Sequence, residues 1–202
     1  MVKLLTNLNY TVTSGVVLLI VLIIIVAAWH SGMGAAFDHA WWTVLVRWLH
    51  VISGIMWIGL LYYLNFVQVP TMPKIPEAQR PAVTGHIAPA VLFWFRWGAM
   101  STIIWGIILA GMSGYLVDAI AIGLTDGVAK HTQIGIGMWL GTIMWFNVWF
   151  VIWPNQKIAL GIVQKEGADR AKAGRTAMLF SRTNTMLSIP MLWCMVTAQN
   201  VF

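Results

Sequence analysis

Two histidines, each followed four residues later by a glycine, carry the chemistry open to this sequence: His50-x-x-x-Gly54 and His131-x-x-x-Gly135. Neutral imidazole is a good ligand for iron, and two imidazoles can hold a haem iron from opposite faces. The porphyrin plane then lies against both helices. Residues at i and i+4 share a helix face, so a glycine there leaves room for the ring beside each histidine. Cys194 is the one cysteine. That excludes an internal disulfide, a Cys-x-x-Cys-His haem attachment, a cysteine-rich zinc site and a Cys-ligated iron–sulfur cluster. The pattern predicts a non-covalently held b-type haem, with His50 and His131 as axial ligands and Gly54 and Gly135 giving it space. Arg47 lies one turn before His50 on the same face, and either pairs with a haem propionate or snorkels to the interface. Trp57, on the same helix, packs within the bundle and is a further candidate for contact with the cofactor.

The elements that must position these residues are apolar. Of 202 residues, 59% are hydrophobic and 9% charged, and mean hydropathy is +0.79. A soluble domain carries about 25% charged residues, so a soluble enzyme is excluded. The net charge of +6 comes with no basic groove interleaved with aromatics, which argues against a nucleic-acid partner. Crossing roughly 30 Å of hydrocarbon takes about 20 residues. Five segments qualify: Tyr10–Trp29, Trp41–Phe66, Ala88–Tyr115, His131–Trp153 and Ala177–Ala198. Without the alternation of barrel strands, they predict an all-α membrane bundle of five transmembrane helices, one domain over residues 1–202. The first segment reads as an anchor rather than a cleaved signal peptide.

Charge sets the expected orientation. Lys3, Lys74, Arg80 and the run Lys157, Lys165, Arg170, Lys172, Arg175 and Arg182 fall on one side, and the opposite loops hold mainly Asp38, Asp118 and Asp126. The positive-inside rule then places the N-terminus in the cytoplasm and the C-terminus outside, as in a multi-pass protein of a bacterial inner membrane. Topology marking and contact with anionic lipid account for the basic run. In this frame His50 lies about nine residues into its span, roughly 13 Å at 1.5 Å per residue, while His131 begins the fourth. One iron between them requires the fourth helix to start earlier or the second to tilt.

The remaining candidates have plainer readings. Most of the 13 tryptophans fit an interfacial belt. Gly137 with Gly141, and Gly106 with Ala110 and Gly114, are small-xxx-small pairs that let helices approach closely. Arg96, flanked by Trp94 and Trp97, snorkels, stacks on an aromatic ring or forms a second anion site. His86 takes a loop role or ligates a separate metal or haem, and His30 and His39 flank a solvated loop, or one of them replaces His131 as an axial ligand.

The string Arg47-Trp-Leu-His50-Val-Ile-Ser-Gly54-Ile-Met-Trp57-Ile-Gly59 resembles the second-helix signature of the urate oxidase N-terminal membrane-domain family, whose longer members are cytochrome-c-linked urate hydroxylases. Asn65-Phe-Val-Gln-Val-Pro70, Trp149-Phe-Val-Ile-Trp-Pro154-Asn-Gln and Ser181-Arg-Thr-Asn184-Thr-Met-Leu-Ser-Ile-Pro190 extend the likeness over most of the chain from Trp41 onward. The Leu-His-x-x-x-x-x-x-Trp element is also similar, over a shorter stretch, to membrane protoporphyrinogen oxidases and copper-resistance D proteins. The resemblance implies a haem-binding or redox-linked bundle, with His50 its firmest site residue. The chain departs from the longer enzymes in having no Cys-x-x-Cys-His motif, and Thr183 stands where they often carry a histidine.

Three functions follow as expectations. The first is a haem b protein passing electrons from a quinol or membrane dehydrogenase to a cytochrome c-like acceptor. The second is a non-catalytic accessory subunit of a larger respiratory or photosynthetic complex, or a homo-oligomer. The third is a carrier, for which Gln133, Thr142 and Asn147 supply too little polar path.

Overall fold

A computed structural model describes residues 5–30, 38–164, 166–167 and 169–201, and no strand occurs among them. The chain divides into two compact units, Met1–Leu45 and Val46–Phe202.

The first unit is dominated by α1, Leu8–His30. The Asn7 side chain starts it by accepting from the Asn9 backbone N–H at 2.9 Å, which satisfies a donor that the first turn leaves open. Its apolar window contains no buried residue, and a helix apolar all round suits lipid. The unit also holds the start of α2, His39–Tyr62, where Asp38 caps the Trp41 N–H at 2.8 Å.

The second unit contains the rest of α2, then α3 (Ala88–Met112), α4 (Leu116–Ile120), α5 (Ala129–Phe146), α6 (Trp153–Ala159) and α7 (Arg170–Asn200). Four helical runs are long and apolar enough to cross a membrane: Leu8–Trp29, His39–Lys74, Glu77–Met112 and Ala129–Ala159. The chain is therefore multi-pass by length and composition, and all four runs are longer than the segments expected from sequence. The fifth expected span differs. α7 has 31 residues, but it is not among the four: exposed Arg182, Gln199 and Asn200 dilute its hydropathy together with Ser181, Asn184, Ser188 and Thr197. The last four are buried, so that part of the polarity of α7 faces protein.

Three π-helical turns interrupt the long runs, at Tyr63–Gln68, Val83–Ile87 and Asn147–Ile152. Each ends two residues before a proline: Pro70, Pro89 and Pro154. Proline lacks the N–H that would bond the carbonyl four residues back, and its ring crowds that carbonyl, so the preceding turn widens. Pro190 sits inside α7 without a π-turn, so proline permits the widening without dictating it. The widened turns aim amides inward. Asn65 donates to the Leu61 carbonyl at 2.9 Å and to Ser181 Oγ at 2.8 Å. Asn147 donates to Asn184 Oδ1 at 2.9 Å, and Asn184 donates on to the Met144 carbonyl at 2.9 Å.

Small residues set the helix spacing. A Cβ on Gly98 of α3 would lie 3.2 Å from the Trp57 backbone nitrogen of α2. One on Gly137 of α5 would lie 3.0 Å from Cys194 Cβ of α7, and one on Gly135 would overlap the Ala119 carbonyl of α4. Gly141, by contrast, has nothing within 4 Å. We expect Gly135→Ala to destabilise the protein by about 1–3 kcal/mol through overpacking, while Gly141→Ala leaves it unchanged or slightly firmer. Thermal unfolding of both variants in one detergent checks this, and equal midpoints would refute it.

Candidate cofactor cavity

Within the second unit, a cavity of about 690 Å³ opens among α2, α3, α5 and α7. That volume lies in the range of small-molecule and cofactor sites, about 300–1,000 Å³. Arg47, His50, Gly54 and Trp57 all line it.

The best-determined group on the wall is His50. Its Nδ1 lies 2.9 Å from the Thr102 backbone carbonyl of α3. A carbonyl can only accept, so Nδ1 carries the proton and Nε2 keeps the lone pair of the neutral ring. Metal-binding histidines are commonly oriented this way, the second nitrogen donating to a carbonyl that fixes tautomer and ring direction. The approach depends on Gly106, where a Cβ would sit 3.0 Å from His50 Cε1 and 3.1 Å from Nδ1. Thr102 turns its own hydroxyl back to the Gly98 carbonyl at 2.7 Å, which keeps a second polar hydrogen away from the imidazole. Thr102 and Gly106 also line the cavity.

Around this imidazole the wall is aliphatic or thioether, with Ile103, Ile107, Ile134, Met138, Met191 and Met195 contributing. Polar residues gather where α2 begins and where α3 and α7 finish, namely Arg47, Tyr115, Gln199 and Asn200. Burial pushes the Tyr115 hydroxyl above its ordinary range, and the positive charge of Arg47 partly opposes that rise. The site thus offers a cation at its rim, an apolar body and one aromatic nitrogen base. No carboxylate lines it. Trp57 is 1% exposed, and its indole Nε1 has no acceptor among the described residues.

The second histidine and glycine of the sequence pattern sit elsewhere. His131 is in the first turn of α5, and its Nδ1 pairs with Asp126 Oδ2. Its ring stacks on Tyr115 at 5.9 Å between centroids and 27° between planes. Tyr115 lines the cavity and His131 does not. Gly135 is likewise off the wall and serves the contact with α4. The expected pairing of His50 and His131 across one cavity is thus not the arrangement the wall presents. Asp118, Asp126 and His131 instead bring ligand atoms within 4.8 Å of one another, in a loop clasp that Thr125 closes by donating to Asp118 at 2.6 Å. His86 is exposed in the π-turn before α3. His39 opens α2 in the first unit and His30 ends α1.

Thr102, Gly106 and Tyr115 were not singled out as site residues from sequence. A signal was present for two of them, because Thr102-x-x-x-Gly106 repeats on α3 the four-residue spacing of His50-x-x-x-Gly54.

Residues 119–201 match the family model described as urate oxidase N-terminal, the family that the sequence strings resemble. The match runs from the end of α4 through α7, so His50 and Arg47 lie outside it. No curated protein and no solved structure gives a significant match.

The loop clasp yields a pH prediction. The Asp126 carboxyl is held below the usual carboxylate range first by the Val128 N–H and then by His131. A depressed carboxyl contributes stability above its unfolded value, and that contribution fades as pH falls through the folded one. The contact reported by the His131 ring carbon resonances should therefore survive to a pH below the ordinary range of aspartate, about 3.9. In Asp126→Asn the contact should lose its acid-side transition. A wild-type transition at the ordinary aspartate value would contradict the assignment.

Proposed function

We propose that this chain is an integral membrane b-type haem protein that carries electrons between a quinol or membrane dehydrogenase and a cytochrome c-like acceptor. The observation that carries the reading is His50: a neutral imidazole on the wall of a 690 Å³ apolar cavity, its Nδ1–H committed to Thr102 and its Nε2 uncommitted. An imidazole in hydrocarbon is costly unless paired or ligating, and here one nitrogen is paired and the other left basic. Bound there, haem would supply a one-electron couple whose potential follows from ligand, burial and nearby charge. The chain's own residues do the rest. His50 would offer the nitrogen, Gly54 leaves the adjacent wall low, and Arg47 at the rim would hold a propionate. Electron carrying needs no general base, in keeping with a cavity that has no carboxylate. His131, placed behind Tyr115, acts on the loop rather than on the iron. In the orientation set by the basic loop, α7 is the fifth crossing and the rim faces outward from a bacterial cytoplasmic membrane.

A second reading is favoured by α1, whose apolar surface is unburied within its own unit. That surface suits a subunit packed against a larger membrane complex, with no cofactor of its own.

A reduced-minus-oxidised visible spectrum of the purified protein, made with ample haem, decides between them. We expect b-type haem bands that are lost in His50→Ala, weakened in Gly106→Val and kept in His131→Ala. Loss of the bands in His131→Ala would restore the two-histidine ligation expected from sequence. A featureless wild-type spectrum would sink the electron-transfer reading and leave the accessory subunit.

A further inference from the structure

Away from the cavity, two cations meet at one indole. The guanidinium carbon of Arg96, on α3, lies 3.3 Å from the centroid of Trp153 at the start of α6. Lys157, one turn further along α6, places its Nζ 5.6 Å from the same centroid. Cation–π attraction explains why each cation favours the ring, but not why two like charges share it.

Among the described residues no acid offsets them. Glu77 pairs with Arg80 at 3.8 Å, and Asp126 pairs with His131. Asp118 accepts from Thr125, Asp38 caps α2, and Asp169 caps α7 through the Ala171 and Lys172 N–H groups. Glu166, the sixth acid, is exposed in the connection before α7. Among the described residues neither Arg96 nor Lys157 has an ion pair. The Arg96 guanidinium has no hydrogen-bond acceptor either, and its Nη1 is enclosed without one. An arginine within an apolar run, stacked on an aromatic face and lacking an anion, is a half-made binding site.

Depth indicates what completes it. Arg96 stands sixteen residues from Met112, the end of its run. That is roughly 24 Å at 1.5 Å per residue, against about 30 Å of hydrocarbon. A long side chain at that depth reaches the far headgroup level. The basic residues Arg170, Lys172 and Arg175 begin α7, and half-exposed Trp94 and Trp97 flank Arg96, with Trp97 edge-on to Trp149 at 5.5 Å. Tryptophan at headgroup depth beside paired cations suits a phospholipid, with its phosphate on the cations and its acyl chains along the rings.

We infer that Arg96, Lys157 and Trp153 form a binding site for the headgroup phosphate of an anionic phospholipid. The site is independent of the haem reading, and occupancy would tie α3 to α6.

The test uses the full chain in nanodiscs containing phosphatidylglycerol and phosphatidylcholine, released for native mass spectrometry to count retained lipids. Wild type should retain phosphatidylglycerol with a preference of about 10- to 30-fold, the size expected for two cations near a lipid surface. Lys157→Gln should lose part of the preference and Arg96→Gln with Lys157→Gln nearly all of it, while Arg96→Lys keeps most. Arg170→Gln with Arg175→Gln should leave it intact, which separates a site from general attraction to the basic loop. Should the double variant fail to fold, Lys157→Gln alone carries the comparison. No preference in wild type, or an undiminished one in Lys157→Gln, overturns the inference. So does full displacement by millimolar inorganic phosphate, which would mark a free-anion site.

Discussion

A polar group buried in hydrocarbon has only the chain itself for a partner, and that constraint organises this bundle. Lipid is as apolar as leucine, so hiding a side chain from it drives nothing. Helices hold through close backbone approach and through polar bonds made between them. Both devices are visible here. Gly98 lets α3 reach the backbone of α2, and Gly135 and Gly137 do the same for α5 against α4 and α7. Tyr62 meets Ser188 at 2.9 Å, Asn65 meets Ser181, and Asn147 meets Asn184. Each such bond is worth only about 0.6 kcal/mol on average in a membrane. Their main effect is on register, because any slip would strand several amides at once.

The prolines that interrupt the helices feed the same network. A proline in a long apolar helix leaves a carbonyl without its donor, and lipid offers none. Widening the preceding turn redistributes the backbone bonds, and the Asn65 amide adds a donor to the Leu61 carbonyl. It also redirects side chains, which is how Asn65 and Asn147 turn toward α7. Of the sequence strings that extend the family likeness, those around Pro70 and Pro190 hold the two partners of one such bond, Asn65 and Ser181. Their composition reads as punctuation in one dimension and as helix contact in three.

That difference explains what was legible in the sequence and what was not. Long apolar runs identify membrane helices because length and hydropathy are local properties, and α1, α2, α3 and α5 all follow from them. α7 is harder: Ser181, Asn184 and Ser188 lower its hydropathy for reasons that lie on other helices. His50 stood out because an imidazole in an apolar run is conspicuous. The identical spacing in His131-x-x-x-Gly135 suggested an identical role, yet spacing is blind to neighbours. Gly135 is small because α4 folds back against it, and His131 is near an acid because the loop turns at Gly127, whose φ is +68°. The converse omission is Gly106, read as helix packing, whose close neighbour proves to be the imidazole itself.

The inward face of α7 shows how clamping and opening are divided along one helix. Its residues at three- and four-residue intervals run Ser181, Asn184, Ser188, Met191 and Met195. The first three bond across to Asn65, Asn147 and Tyr62, while the last two line the cavity. A bundle uniformly apolar inside would be free to collapse, since closing a void regains dispersion contacts. Amides and hydroxyls pin the helices at the Lys157 end, and Gln133 donating to Thr197 at 2.8 Å ties α5 to α7 at the other, so the stretch between can stay splayed around His50. The cost is a site whose shape depends on contacts several turns away. Severing Asn147 from Asn184 should therefore alter the cavity without touching its wall, as a loss of register and not of a ligand.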